Sequence, residues 1–223
     1  MQIGESSYNQ CPECDKMIEF YPGPFFVHRY GLTEWSDGET FEELPSLKNT
    51  KLQKCPHCNK FYWFDQKLGG LSFYEYHEAA LLFESKYSKK SFIDLIFPKQ
   101  SKHSPNKQHQ DKQRLLYIRL CLLRKYNDRI RIHPLGNPNI KPDPIPERDK
   151  VIFLENARSL INLLKELDPN NHLLITELYR NLGMFEESKN ALNNVKDESV
   201  RHLLLNEINK HNRQVIIIKQ PRK

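Results

Sequence analysis

The sequence predicts an α+β protein in which a small β region precedes an all-α region. Short runs of aromatic and β-branched residues, separated by turn-forming residues, occupy the first 70 positions. From Leu71 onward, leucine, isoleucine and aromatic residues recur at helical spacing instead. With 223 residues, the chain is long enough for one large domain or two small ones. We therefore expect two parts that differ in secondary structure.

Four of the five cysteines lie in two copies of one tetrapeptide, Cys11-Pro12-Glu13-Cys14 and Cys55-Pro56-His57-Cys58. Two such pairs are typical of a metal site, and neither stands at the strand-to-helix junction of a βαβ unit that a thioredoxin-type redox centre requires. Thiolates suit Zn²⁺, which prefers four tetrahedral ligands. We predict one structural Zn²⁺, with four ligands: Cys11, Cys14, Cys55 and Cys58.

The residues around both tetrapeptides favour a pair of zinc knuckles. Asp15 and Asn59 follow the second cysteine of each copy, where the backbone often needs a positive φ that these residue types tolerate. Strand-like aromatic sequence follows each copy, and Ser36-Asp37-Gly38 is a hairpin turn signal. The pattern predicts a rubredoxin-like zinc ribbon over residues 1–70. His57 is an alternative ligand, although four thiolates already complete a tetrahedral shell.

Helical segments are predicted from Leu71 to residue 212. A capping box from Ser72 to Glu75 opens a connecting helical segment over residues 71–97. Residues 98–112 are mostly Lys, Gln, His and Ser, a composition that predicts a flexible basic linker. Helical hairpins then cover residues 113–212. Within them, Asp168 is predicted as a helix N-cap and Gly183 as a helix end.

The C-terminal tail, residues 213–223, contains the β-branched run Val215-Ile216-Ile217-Ile218, which favours a strand over a helix. This strand could pair within the chain, for example on an edge of the ribbon, or add to the sheet of a partner. Internal pairing is favoured, because an unpaired apolar strand promotes aggregation.

Part of the helical region resembles a tetratricopeptide repeat (TPR). In the segment Leu178–Ser188, Gly183 and Phe185 match the glycine and the aromatic residue between the repeat's two helices, and Ser188 matches its small residue. The whole chain also resembles bacterial proteins of unassigned function that join a CPxC ribbon to such helices. Two further segments carry this resemblance: Trp35-Ser36-Asp37-Gly38 and Asn127-Asp128-Arg129. It implies a zinc ribbon followed by a TPR-like helical-hairpin domain, and it implies no activity.

Positive charge is concentrated in one stretch of the chain. Residues 84–133 carry 13 Lys or Arg and 4 Asp or Glu, whereas the whole protein has a net charge of only +6. We predict a non-catalytic adaptor that binds a protein partner through its TPR-like helices. The alternative is an RNA-binding or ribosome-binding protein that uses the basic stretch and the ribbon. The residues that would contact nucleic acid are Lys86, Lys89, Lys90, Lys99, Lys102, Lys107, Lys112 and Arg114.

The sequence argues against an enzyme and against a membrane protein. It has no nucleophile elbow, no phosphate-binding glycine loop and no paired metal-binding acids. No apolar run reaches the ~18 residues of a membrane span. We therefore expect a soluble cytoplasmic protein, and nothing in the sequence indicates its oligomeric state.

Overall fold

The computed structural model describes residues 7–20, 33–41, 52–63, 71–88, 105–131 and 144–219. The strands in these ranges are β1 (Ser7–Gln10), β2 (Met17–Phe20), β3 (Thr33–Trp35), β4 (Thr40–Phe41), β5 (Leu52–Lys54), β6 (Phe61–Trp63) and β7 (Ile217–Lys219). The helices are α1 (Phe73–Ser88), α2 (Pro105–Asn127), α3 (Glu147–Leu167), α4 (His172–Leu182), α5 (Phe185–Leu192) and α6 (Glu198–Asn209). This order confirms an α+β protein with small N-terminal strands followed by helices.

The strands form three small antiparallel sheets. Two are two-stranded hairpins, β1–β2 and β5–β6, and each has one cysteine tetrapeptide at its turn. The third has the order β4–β3–β7. The sequence analysis missed β1 and β5, because three or four residues of mixed polarity show no clear alternation.

Several local predictions agree with the structure because side chains and backbone groups close each turn. The hairpin turn between β3 and β4 forms, with the Gly38 amide donating to the Trp35 carbonyl at 2.9 Å. At the start of α1, the Glu75 carboxylate accepts from the Ser72 amide at 2.9 Å. Gly183 ends α4 with a left-handed φ of 77°.

The predicted flexible linker is wrong for residues 105–112, which form the first part of α2. Lysine and glutamine are good helix formers, and proline is tolerated in a first helical turn. Lys112 also forms an ion pair with Glu166 of α3, which fixes this part of α2 against its neighbour. The rest of the predicted linker, residues 98–104, lies outside the described residues.

The predicted N-cap at Asp168 is also wrong. Asn171 caps α4 instead, and its side chain accepts from the Leu174 amide at 3.4 Å. Asp168 is the C-cap of α3 and accepts from the Asn171 side chain at 3.0 Å. Both residue types favour N-caps, so the sequence alone did not distinguish two candidates three positions apart.

One apolar core joins β5 to the first four helices. Leu52 of β5 is fully buried in the same cluster as Tyr76, Ile118, Leu160 and Leu178. None of the helices in the described ranges is long and apolar enough to cross a membrane.

The C-terminal segment, defined here as residues 212–219, folds back onto the N-terminal half. Its strand β7 pairs with β3, and Ile217 lies opposite Trp35. Ile216 and Ile218 pack on a second apolar cluster that includes Leu204 and Ile208 of α6. The prediction that the tail pairs within the chain is confirmed.

Asp149, at the start of α3, is buried and connects three parts of the chain. Its carboxylate accepts from the Tyr74 hydroxyl of α1 at 2.9 Å and from the Arg129 guanidinium just after α2. Burial acts to raise the pKa of Asp149, but the hydrogen bonds from Arg129 and Tyr74 outweigh it, so the pKa lies below its usual value. The contribution of Asp149 to stability is therefore present above the unfolded-state pKa, and it is lost as the pH falls through the folded-state pKa.

We expect Asp149→Asn to lower the free energy of unfolding by about 1–3 kcal/mol at pH 7, because it removes a charge-assisted hydrogen bond from Arg129. The difference from the unmodified protein should shrink as the pH falls below about 4, since the carboxylate is protonated first in the unfolded chain and only at lower pH in the folded protein. Urea denaturation at several pH values measures it. Glu187→Gln, at an exposed carboxylate, is the control and should show almost no difference. A difference for Asp149→Asn that does not change with pH would contradict this account.

Candidate metal centre

Each cysteine tetrapeptide is closed by the same pair of backbone hydrogen bonds. In the first, the Asp15 amide donates to the Cys11 carbonyl, and the Cys11 amide donates to the Lys16 carbonyl, both at 2.9 Å. The second repeats both bonds at the same length. Asp15 and Asn59 have φ values of 58° and 57°, as the sequence predicted.

The two turns bring four thiols together although the tetrapeptides are forty residues apart. All four sulfur atoms lie within 4.8 Å of one another. The Cys11 and Cys58 sulfurs are 3.9 Å apart, and those of Cys14 and Cys55 are 3.8 Å apart. Four thiolates at about 2.3 Å from a central ion would form a tetrahedron with edges of about 3.8 Å. The four cysteines are therefore positioned to bind one metal ion.

The first cysteine of each pair is the more deeply placed. Cys11 and Cys55 are fully buried and pack with Ile18 and Tyr62, while Cys14 and Cys58 are partly exposed. Two backbone amides at positions 13 and 57 donate to the buried sulfurs, each at 3.4 Å. These donors favour the thiolate form that a metal requires.

The crowded thiols differ in acidity. Burial acts to raise the pKa of Cys55, but the amides of Cys58 and His57 and the neighbouring thiols lower it to about 6. The amide of Lys16 acts to lower the pKa of Cys14, but burial and the surrounding thiols raise it to about 12. All four groups can ionise together only where a cation balances their charge.

The group of possible ligands consists of the four cysteines and does not include His57. The His57 Nε2 atom lies 3.2 Å from the carbonyl oxygen of Met17, in the neighbouring hairpin. The alternative in which His57 replaces a cysteine is therefore not supported by the geometry. Lys60 and Glu13 form a further link between the two turns, at 3.1 Å.

Comparison of this chain with known protein families, with characterised proteins and with solved structures finds no match. The assignment of the site therefore depends on its geometry. In the part of the chain that the structure describes, the four cysteines are the one group of three or more possible ligands placed to share an ion.

Two of the eight residues predicted to bind nucleic acid have described side chains, and both contact other protein groups. Lys112 is paired with Glu166, and Arg114 lies 3.6 Å from Asp111 and 5.2 Å over the ring of Trp63. Lys86 lies in α1 and Lys107 in α2. The remaining four, Lys89, Lys90, Lys99 and Lys102, lie outside the described residues.

Trp63 of β6, an aromatic residue of the predicted ribbon, packs against the helices. Trp63 packs edge-on against Phe83 of α1 at a centroid distance of 5.9 Å and lies 5.8 Å from the ring of Tyr117 in α2. These contacts attach β6 to the helices.

The sequence analysis missed a buried polar junction, defined here as Ser36, Asp37, Asn127, Arg131, Glu177, Arg180 and Asn181. The Asn127 amide donates to the Asp37 carboxylate at 2.7 Å, and Arg131 pairs with the same carboxylate. Asp37 belongs to the turn between β3 and β4, so the junction ties this hairpin to the end of α2. A signal was present in α4, where the charged residues Glu177 and Arg180 lie one turn apart beside apolar positions.

We expect Cys58→Ser to lose the bound metal, because the loss of one thiolate opens the ligand shell. Its melting temperature should fall as well, because metal-binding free energy contributes to folding. Elemental analysis and thermal unfolding of the full chain measure these effects.

Cys121→Ser is the matched control, since Cys121 lies in α2 and burial raises the pKa of its thiol. This variant should keep one ion per chain. Equal metal content in the two variants would contradict the assignment of the site.

Proposed function

We propose that the protein is a zinc-binding adaptor, in which the ion fixes the N-terminal hairpins and the helices bind a protein partner. The observation that carries the proposal is the four-sulfur cluster, with Sγ–Sγ distances of 3.8 and 3.9 Å. A site with four cysteines keeps no open position for water or substrate, as in structural rather than catalytic zinc sites. We accordingly propose a non-catalytic role.

Zinc is the proposed ion because its preferences match this donor set. It accepts four thiolates without a redox change, and it requires only tetrahedral spacing. The loaded site would carry a net charge of −2. Lys60 lies close enough to interact electrostatically with this charge. Glu13 raises the pKa of Lys60, and the thiolates of Cys58 and Cys11 raise it more weakly.

The adaptor part of the proposal is supported by the α4–α5 hairpin. Ser188 of α5 is fully buried, and its hydroxyl donates to the Thr176 carbonyl of α4 at 2.9 Å. A small residue here lets the two helices approach closely, and Gly183 provides the left-handed turn between them. Both features fit a TPR-like hairpin, a type of unit that often binds proteins.

Partly exposed leucines on the next helix are the proposed contact residues. Leu203 and Leu205 of α6 are 37% and 38% exposed. On α1, Leu81 is 53% exposed and offers a control position on a different helix.

We expect the full chain, purified gently from its native cells, to carry a stoichiometric protein partner. The double variant Leu203→Glu, Leu205→Glu should lower recovery of that partner at least about 10-fold, because it places a charge on both exposed sides of α6, which flank the buried Leu204. Leu81→Glu should retain the partner. Metal content and melting temperature are measured for each variant to show that it is folded.

Recovery of nucleic acid that salt removes would instead favour the RNA-binding alternative. Two results would contradict the proposed role of α6. One is that no macromolecule co-purifies with the chain, and the other is that the unmodified chain, the α6 double variant and Leu81→Glu all recover the partner equally.

A further inference from the structure

Side chains of α4 bind three consecutive backbone carbonyls of the C-terminal segment. The Arg180 guanidinium donates to the carbonyl oxygens of Asn212 and Gln214, each at 2.5 Å. The Asn181 side chain donates to the carbonyl between them, that of Arg213, at 2.8 Å. In return, the Arg213 Nε donates to the Asn181 backbone carbonyl at 3.0 Å. The three acceptors are backbone carbonyls, and the segment bends here, with the Gln214 amide donating to the Asn212 side chain at 3.0 Å.

Arg180 and Asn181 are also held by hydrogen bonds within α4 that do not involve the segment. Arg180 and Glu177 are fully buried, and the Glu177 carboxylate accepts from Arg180 Nε at 3.0 Å and from Nη2 at 2.6 Å. Asn181 donates to the same carboxylate at 3.0 Å. Burying an ion pair is costly unless its remaining donors are satisfied, and here the carbonyls of the segment satisfy them.

The hairpin between the two cysteine tetrapeptides holds the next part of the segment. The Ser36 amide donates to the Ile216 carbonyl at 2.9 Å, and the Ile216 amide donates to the Ser36 hydroxyl at 3.0 Å. The Val215 side chain is buried, with 8% of its surface exposed. The recognition therefore combines backbone hydrogen bonds with a β-branched side chain, which is how proteins bind an added strand.

We propose that α4 and β3 form an acceptor site for a peptide segment, which each chain fills with its own C-terminal segment and which the same segment of a second copy can also fill. The hydrogen bond between Ile216 and Ser36 joins residues 180 positions apart in the sequence. The site is therefore formed by folding and not by the neighbours of the segment along the chain. The segment leaves α6 through His211, whose φ is 55°, and the Asn212 amide donates to the Glu207 carbonyl at 2.9 Å, so the segment starts at the C-terminal cap of the helix. Exchange of such a terminal element between copies is a low-cost route to a dimer.

The covalent connection between the segment and α6, called the tether here, explains why a single copy fills its own site. A short linker gives the segment an effective concentration of about millimolar at the acceptor site. A free peptide at micromolar concentration therefore cannot compete until the tether is cut. This inference depends neither on metal binding nor on an outside partner, so its failure would leave the proposed adaptor function untouched.

The test uses the full chain with a protease site inserted between His211 and Asn212, which is cleaved after folding. The probe is a labelled synthetic peptide of residues 212–219, and its fluorescence anisotropy reports binding. We expect the cleaved protein to exchange its segment for the probe when the probe is in excess. The same protein, uncleaved, should bind the probe at least about 100-fold more weakly because of the tether.

Two variants of the probe peptide distinguish specific binding at the acceptor site from non-specific binding to the protein. Gln214→Ala should bind like the original peptide, because the α4 contact at this position is to the backbone carbonyl of Gln214. Val215→Asp should bind at least about 10-fold more weakly, because it places a charge in a buried position. Unfolding of the body on cleavage, loss of the segment without uptake of the probe, or equal binding of both variants would each overturn the proposal.

Discussion

Four cysteine sulfurs crowded into one cluster are the constraint on which the N-terminal half depends. Two hairpins with strands of three or four residues bury little surface, and isolated hairpins are marginal in water. The turns that end them still place sulfurs of Cys11 and Cys58, and of Cys14 and Cys55, at 3.8–3.9 Å. Thiolates at this spacing repel one another unless a cation lies between them. A bound metal ion would supply the link that the small apolar contacts around Ile18 and Tyr62 cannot supply alone.

The buried polar junction restrains the same region from its other side. The β3–β4 hairpin lies between the two tetrapeptides in the chain, and Asp37 in its turn is held by Asn127 and Arg131. Arg180 extends the junction to the C-terminal segment, which pairs with β3. The last strand, β7, thus pairs with β3, and the helical half restrains a hairpin that lies between the two cysteine tetrapeptides in the chain. Full burial of Arg180 and Glu177 means that loss of any one partner leaves an unpaired charge.

Features set by chemistry within a few residues were predictable from the sequence. The positive φ values at Asp15 and Asn59, the cap at Ser72 and the helix end at Gly183 belong to this class. Features set by distant contacts were not. Lys112, in the predicted linker, pairs with Glu166 of α3, and the role of Arg180 depends on a segment more than thirty positions later. The four candidate ligands were predictable because each tetrapeptide forms a local turn, whereas the packing that brings the two turns together depends on the folded chain.

The most direct measurement is X-ray absorption spectroscopy at the zinc edge, on full-length protein purified without added metal. The account predicts one zinc per chain surrounded by four sulfur atoms at about 2.3 Å. A first shell that contains nitrogen or oxygen, or fewer than four sulfurs per ion, would contradict a closed site formed by Cys11, Cys14, Cys55 and Cys58.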